Sequence, residues 1–489
     1  MSSKMKYIVP VVVLLSAGVI GAALRVGLLG GRTFSGPGSR PAMEGAVSEA
    51  TETTETIEAT VASGLEMDWA KLGWNRFRGP NGSGISDDAT IPVTWSETEN
   101  LRWKTALPGP GSSSPVLTNS KVFLTCYSGY GETASNPGEI AHLKRHLCCV
   151  DRQSGNMLWT KTIDSKEPEE AFRGMGLTEH GYATNTPVTD GTKVFAFLGK
   201  SGVFGFDLDG NQLWHTSVGT KSNQKGWGTC SSLTLFNDLV IVNAAEESGA
   251  MIALNKETGE EVWRASAPRL PMTFSTPALV RIDENRTDLV IAVVGEIWGL
   301  NPVTGKVVWY ATSPIGGNVS PCVIVDGDLV YAFGGFQQAG SVCVQAGGRG
   351  NVTDSHVKWT SRSTSYIATP VLVDGEFYWV DDKSRYYCQD ASDGELVAQE
   401  RMPNKMGNGR PIYASMIAIN KKIYAQTRSA GVVVLGAGGD LKILAQNKFD
   451  QDGSIANATP AVDNGQLFLR SNRFLYCVQD TSTVDPITP

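Results

Sequence analysis

Five stretches of the chain concentrate residue types suited to binding an anion. "GTKSNQKGWGTC", "RASAPRLPMTFST", "YATSPIGGNVS", "TSRSTSYIAT" and "RMPNKMGNGRPIYAS" together hold eight Lys or Arg and no Asp or Glu. The cations are Lys221, Lys225, Arg264, Arg269, Arg362, Arg401, Lys405 and Arg410, with Trp227, Phe274, Tyr366 and Tyr413 interleaved. The whole chain has a formal net charge of -7, so the bias is local. Guanidinium and ammonium groups beside aromatic faces suit a carboxylate, sulfate or phosphate, or an acidic partner surface. Lys225, Trp227, Arg269, Arg362, Tyr366 and Arg410 are the candidate binding residues. Nothing in the global charge points to nucleic acid.

Other residues that resemble chemistry resolve into architecture. Cys149, Cys343, Cys388 and Cys477 recur at one small-residue position of a repeat, where Cys serves as a small apolar group. Cys148 and Cys149 lie in a strand and face opposite ways, while Cys126 could pair across strands with either of them. "HLKRH" spaces His142 and His146 as metal ligands on a helix are spaced, yet brings no acidic partner. "GAGGD" (Gly436 to Asp440) is a turn with no helix after it, not a dinucleotide loop. No Gly-x-Ser-x-Gly elbow or phosphate-binding loop occurs, and the chain has only five His. Neither a catalytic nor a metal-ligating set is expected.

The elements that must position the basic loops repeat. "DRQSGNMLW", "FDLDGNQLW", "NKETGEEVW" and "NPVTGKVVW" share an Asp or Asn, a Gly and a Trp at fixed spacing. The Trp slot holds Trp103, Trp159, Trp214, Trp263, Trp309 and Trp359, then weakens to Ala398 and Ile443. A residue copied this often is structural: Asx accepts from its own turn, Gly takes the left-handed conformation, and Trp covers the neighbouring unit. Each unit opens on a short strand near Pro115, Pro187, Ser232, Pro277, Pro321, Pro370, Met416 and Pro460, at intervals of 72, 45, 45, 44, 49, 46 and 44 residues. The long first interval is placed in an insertion over residues 127–145.

Short strands bounded by Asp-Gly and Asn-Gly turns, at a period near 45 residues, predict four-stranded antiparallel propeller blades. Eight openings predict eight blades in an all-β fold. The eighth unit lacks a Trp strand, and "NLRWKTAL" at Trp103 supplies one from the N-terminal side, closing the ring without a free edge. The basic loops then surround one mouth of the central channel.

The domain reading is an apolar signal-anchor over 1–31, an acidic linker over 32–66, an entry segment over 67–100, the propeller over 101–480 and a tail over 481–489. Lys4 and Lys6 precede an apolar run from Tyr7 to Leu24, an orientation that places the rest of the chain outside the cytoplasm. The run is expected to stay as a membrane anchor; cleavage as a signal peptide is the alternative. The linker, rich in Glu, Thr, Ser and Ala, buries too little apolar surface to fold.

The unit, a Ser/Thr-Pro strand followed by small-x-Asx-x-x-Thr/Ser-Gly-x-x-x-Trp, resembles the pyrroloquinoline-quinone-like (PQQ-like) repeat family. "WNRFRGPNGSGIS" (Trp74 to Ser86) resembles the entry segment of exported propellers with these repeats. The resemblance implies two functional branches. One is the quinoprotein dehydrogenases of alcohols or sugars, with PQQ and Ca²⁺ at the mouth. In that case Glu246, Glu247, Glu296, Asp381 or Asp382 would bring carboxylates, and Arg269 or Arg410 would hold the quinone. The other branch binds partner proteins without a cofactor, as the outer-membrane assembly propeller lipoprotein does. The five basic loops lack the acids that the first branch needs. The expected function is therefore a non-catalytic envelope binding or scaffold protein without a cofactor, recognising a protein, an anionic glycan or a small anion.

Overall fold

The computed structural model describes residues 73–482 except 166–167, 175, 224, 404–405 and 408. The apolar N-terminal run and the linker lie outside the described residues, and so does Lys405. Among the described residues no helix is long and apolar enough to cross a membrane.

Eight antiparallel sheets of four strands follow one another along the chain. The third is representative: Thr234–Phe236, Leu239–Ala244, Ala250–Asn255 and Glu261–Ser266 pair in sequence order. In the last sheet Leu101–Ala106 pairs with Phe474–Val478, Trp103 opposite Cys477, so the two ends of the chain share one blade. This is an eight-bladed propeller closed by its N-terminal strand.

Neighbouring blades dock through the repeated Trp and Gly. Trp103, Trp159, Trp214, Trp263 and Trp359 donate their indole N–H to Arg152, Leu208, Lys256, Pro302 and Ala391 carbonyls in the following blade, at 2.9 to 3.1 Å. The turn glycine of that blade lies directly beneath the ring. A Cβ on Gly259 would come within 2.6 Å of Trp214. The glycine thus provides both a positive φ and the space for the indole. Trp309 departs from the pattern. The fifth blade replaces its Gly turn with an inserted segment holding Gly350–Asn351 and Thr353–His356, and Trp309 donates to Asp288 of its own blade at 2.8 Å.

The innermost strands are tied by a second repeat, which corrects the unit spacing read from the prolines. Backbone N–H groups of Ser114, Thr186, Ser232, Thr276, Cys322, Thr369 and Ser415 each donate to the hydroxyl or thiol of the equivalent residue in the next blade. The steps are 72, 46, 44, 46, 47, 46 and 44 residues. Cys322, not Ser320, fills the slot in the fifth blade, so Pro321 sits two residues ahead of the position that Pro277 and Pro370 occupy. Ser232 is itself the ring residue. The residue that corresponds to the prolines is Leu233, which evens the intervals. The ring stays open where the chain ends meet, since Ser114 Oγ is buried without a partner.

The extra length of the first unit also differs from expectation. It is split between the loop after Ser128 and the segment from Ser165 to Ala183, which carries the short helix Leu177–His180. His142 is in a single 3-10 turn. His146 is in a strand, bonded to Ser128 at 2.8 Å and Thr162 at 3.0 Å, so the pair shares no helix face. All eight cysteines are free, with Cys126 and Cys148 Sγ atoms 4.0 Å apart.

The entry segment forms a plug across the base of the channel. Trp74 O accepts from Leu117 N of the first blade, and Asn75 bonds both ways with Thr189 of the second. Arg76 donates to Thr234 Oγ1 and Pro277 O, bridging the third and fourth blades. Asn81 pairs with Leu279 of the fourth, and Ile85–Ser86 adds a parallel strand to Ile417–Ile419 of the seventh. Arg78 spends all five N–H groups on carbonyl oxygens: Gly82, Ser83, Thr369, Pro370 and Met416.

Candidate functional site

The channel opens at the face opposite the plug into a funnel. Its floor is Phe77 of the plug, together with ring residues Ser232, Thr276, Cys322, Thr369, Ser415 and Thr459. The inter-blade loops form the walls. Trp227 and Phe274 pack 6.1 Å apart on one side. Opposite them Arg410 lies over Tyr366 and Arg428 over Tyr413, at 5.6 and 4.8 Å.

Of the candidate residues, Trp227, Tyr366 and Arg410 line this funnel. Arg362 is exposed and lines a separate cleft beside it, shared with Tyr366, Asp381 and Asp382. Lys225 is exposed on its loop. Arg269 is half-exposed, 3.5 Å from Glu296, and donates to Val294 O. The basic loops are thus less positive than their own sequence suggests, because hairpins of the same face bring acids to them. Arg410 meets Asp382 at 3.3 Å, and Arg264 turns to Glu261 at 2.6 Å.

The fixed positive charge lies underneath. Arg76 is 5% exposed and Arg78 fully buried. Both are bonded to hydroxyl and carbonyl oxygens, and neither forms an ion pair with a described carboxylate. Burial pulls both guanidiniums down to about 10, so both remain charged at neutral pH. An unneutralised buried cation is costly, and the neutral oxygens around it offset that cost without cancelling its field. Arg78 bonds the carbonyl of Thr369, whose hydroxyl belongs to the floor.

The second half of the extra length brings Glu179 and His180 to the wall. Glu179 is held by Arg428 at 2.5 Å. His180 Nε2 donates to Trp227 O at 2.9 Å and Nδ1 meets the Thr184 hydroxyl at 2.8 Å. Burial lowers its pKa to about 4, so it is neutral with both nitrogens engaged. Cys230 Sγ lies 3.6 Å from His180 Nε2, and burial pushes the thiol up. Nucleophile and base are adjacent here, but the base is occupied and the thiol protonated.

The carboxylates that a Ca²⁺-held quinone would draw on are otherwise engaged. Glu296 is taken by Arg269 and Trp298, and Asp381 by Arg385 and Tyr387. Glu246 and Glu247 are buried, and burial raises them to about 7 and about 8, toward the neutral acid. Among the described residues no three His, Cys, Asp or Glu side chains converge as metal ligands.

The repeat pattern does not mark Arg76, Arg78, Phe77, His180 or Cys322 as site residues. Only the two arginines flanking Phe77, ahead of a Gly-Pro turn and outside any repeat, marked a role of their own.

Fold and funnel together define a closed eight-bladed propeller of the PQQ-like repeat class with a plugged channel. Residues 85–227 and 143–400 match the family model described as outer membrane protein assembly factor BamB, and the chain belongs to that family. No curated protein matches it in sequence. The crystal structure of BamB from Moraxella catarrhalis is similar, with a TM-score of 0.54 and 12% identity over 78% of this chain and 99% of that one. Quinohemoprotein alcohol dehydrogenase from Comamonas testosteroni gives a TM-score of 0.52 and 11% identity over 88% and 85%. At such identities the likeness is one of fold.

Proposed function

We propose that this protein is a non-catalytic binding propeller of the cell envelope, recognising an acidic group of a small molecule or partner protein at its axial mouth. One observation carries the reading. The funnel is walled by aromatic rings, hydroxyls and amides over two buried guanidiniums, and the one carboxylate among the described residues that line it, Glu179, is already paired with Arg428. Such a surface attracts negative charge and stacks flat groups. The Cys230–His180 contact has neither a free base nor a thiolate, which favours binding over nucleophilic chemistry. The family description, an outer membrane protein assembly factor, supports placement outside the cytoplasm through the N-terminal apolar run.

Trp227 provides the test, because it stands in the wall. Oligogalacturonate and a short poly-glutamate peptide, each beside a neutral counterpart, are titrated into the full-length protein while tryptophan fluorescence is followed. A saturable change with an acidic probe only, weakened by salt and removed in Trp227→Phe, is the expected result. Equal response to neutral probes, or no response to either acidic one, would contradict the reading.

A further inference from the structure

The floor of the funnel has a property beyond general positive charge. Ser232, Thr276, Thr369, Ser415 and Thr459 each accept a backbone N–H from the preceding blade on the hydroxyl oxygen, at 2.9 to 3.1 Å. Each hydroxyl oxygen thus already accepts one hydrogen bond from the fold, and its proton is left to donate. All five line the funnel, and Cys322 holds the corresponding place in the fifth blade with a thiol, a weak donor. Directly behind them lie the guanidiniums of Arg76 and Arg78, one of which has a buried Nε–H with no acceptor, that of Arg76.

We infer that this floor is an oxyanion seat. It takes a tetrahedral or planar oxyanion, sulfate, phosphate or carboxylate, at the end of a narrow ligand whose remainder lies between Trp227, Phe274 and Tyr366. Hydroxyl donors around the floor and unneutralised buried cations behind it favour an anion, whereas a cation would meet two guanidiniums. The inference rests on the proposed binding function and names the group bound and its place. Cys322 is the weak member of the ring. A hydroxyl there would complete it.

The experiment is calorimetric titration of the full-length protein with sulfate, phosphate and glucuronate at constant ionic strength, with chloride as control. One saturable oxyanion site is expected, absent for chloride. Cys322→Ser, which changes one atom, should tighten it at least three-fold. Thr369→Val should weaken it at least ten-fold and Thr369→Ser should restore it, with melting temperature reporting that each variant is folded. Glucuronate bound more tightly than sulfate or phosphate, with the advantage lost in Trp227→Phe, identifies a sugar acid as the source. Equal affinities identify free ions. No saturable site, or a site indifferent to both Cys322→Ser and Thr369→Val, overturns the seat. If the acidic probes still report through Trp227, the seat alone fails and the binding function stands. Binding of the quinone that requires Ca²⁺ would instead remove the reading on which the seat rests.

Discussion

Arg78 Nη1 donates to the carbonyl oxygen of Thr369 at 2.9 Å, joining the plug at the base of the channel to the hydroxyl ring at its floor. Through Arg78 the entry segment holds the sixth and seventh blades, and through Arg76 the third and fourth. The non-repeating segment thus both pins the hub and charges the site.

Arg78 should therefore dominate stability out of proportion to its single position. Arg78→Met leaves five carbonyls without donors and is expected to cost about 3–5 kcal/mol. Arg78→Lys, with three donors and the charge kept, should recover part of that loss. Denaturant unfolding measures both; equal midpoints for wild type and Arg78→Met would show that the plug is dispensable.

The Trp and Gly docking predicts a contrast between two glycines of similar backbone. Gly259 has φ +74° and Trp214 within 2.6 Å of its would-be Cβ, whereas Gly375 has φ +85° and open space. Gly375→Ala should cost about 1 kcal/mol from backbone strain alone. Gly259→Ala must also displace an indole, and about 3 kcal/mol or more is expected. Equal losses at the two sites would contradict inter-blade docking through the indole.

Glu246 and Glu247, on the hairpin of the third blade, give stability a pH dependence of definite sign. Burial raises both, to about 7 and about 8, and the carboxylate of Glu170 adds to the effect; Lys200 is committed to Glu170 at 3.0 Å. The native state therefore holds protons that the unfolded chain has released, and stability falls as pH rises from about 4.5 through 8. His180 acts oppositely. Its pKa is lowered to about 4, so stability falls as pH drops below about 6.5. Glu247→Gln should flatten the alkaline slope, gaining about 2 kcal/mol or more at pH 8 and nothing at pH 4. Thermal melts from pH 4 to 9 provide the measurement, and an unchanged slope in Glu247→Gln would contradict the assignment.

The blades were legible because their cause is local and repeated. The Asx, Gly and Trp of most units serve one turn and one neighbour, so near-copies at a fixed period spell the architecture, including closure by the strand at Trp103. The prolines point to Ser320 as the ring residue of the fifth blade, two residues before Cys322, which fills the slot. Ser320-Pro321 imitates the opening pair, and the hydrogen bonds from Thr276 N to Cys322 Sγ and from Cys322 N to Thr369 Oγ1 distinguish them. The charge balance around the funnel is hidden from the sequence for a different reason. Loop composition counts Arg269 and Arg410 but cannot place Glu296 and Asp382 beside them, because those partners come from other hairpins. Arg76 and Arg78 bond mainly to backbone carbonyls of blades 201 to 338 residues away, separations that leave no periodic trace in sequence.

A non-catalytic binding propeller and a quinoprotein dehydrogenase differ most directly in their response to the quinone. The full-length protein is titrated with pyrroloquinoline quinone in the presence and absence of Ca²⁺, following melting temperature and quinone absorbance, and a redox dye is then offered with alcohols and sugars. A ligand of the native state raises the melting temperature by mass action. The binding-propeller account predicts no shift that requires Ca²⁺ and no dye reduction. A weak shift without Ca²⁺, competed by sulfate, is what a tricarboxylate in the oxyanion seat would give. A saturable shift requiring both components, with substrate-dependent dye reduction, would contradict the account and make the protein a dehydrogenase.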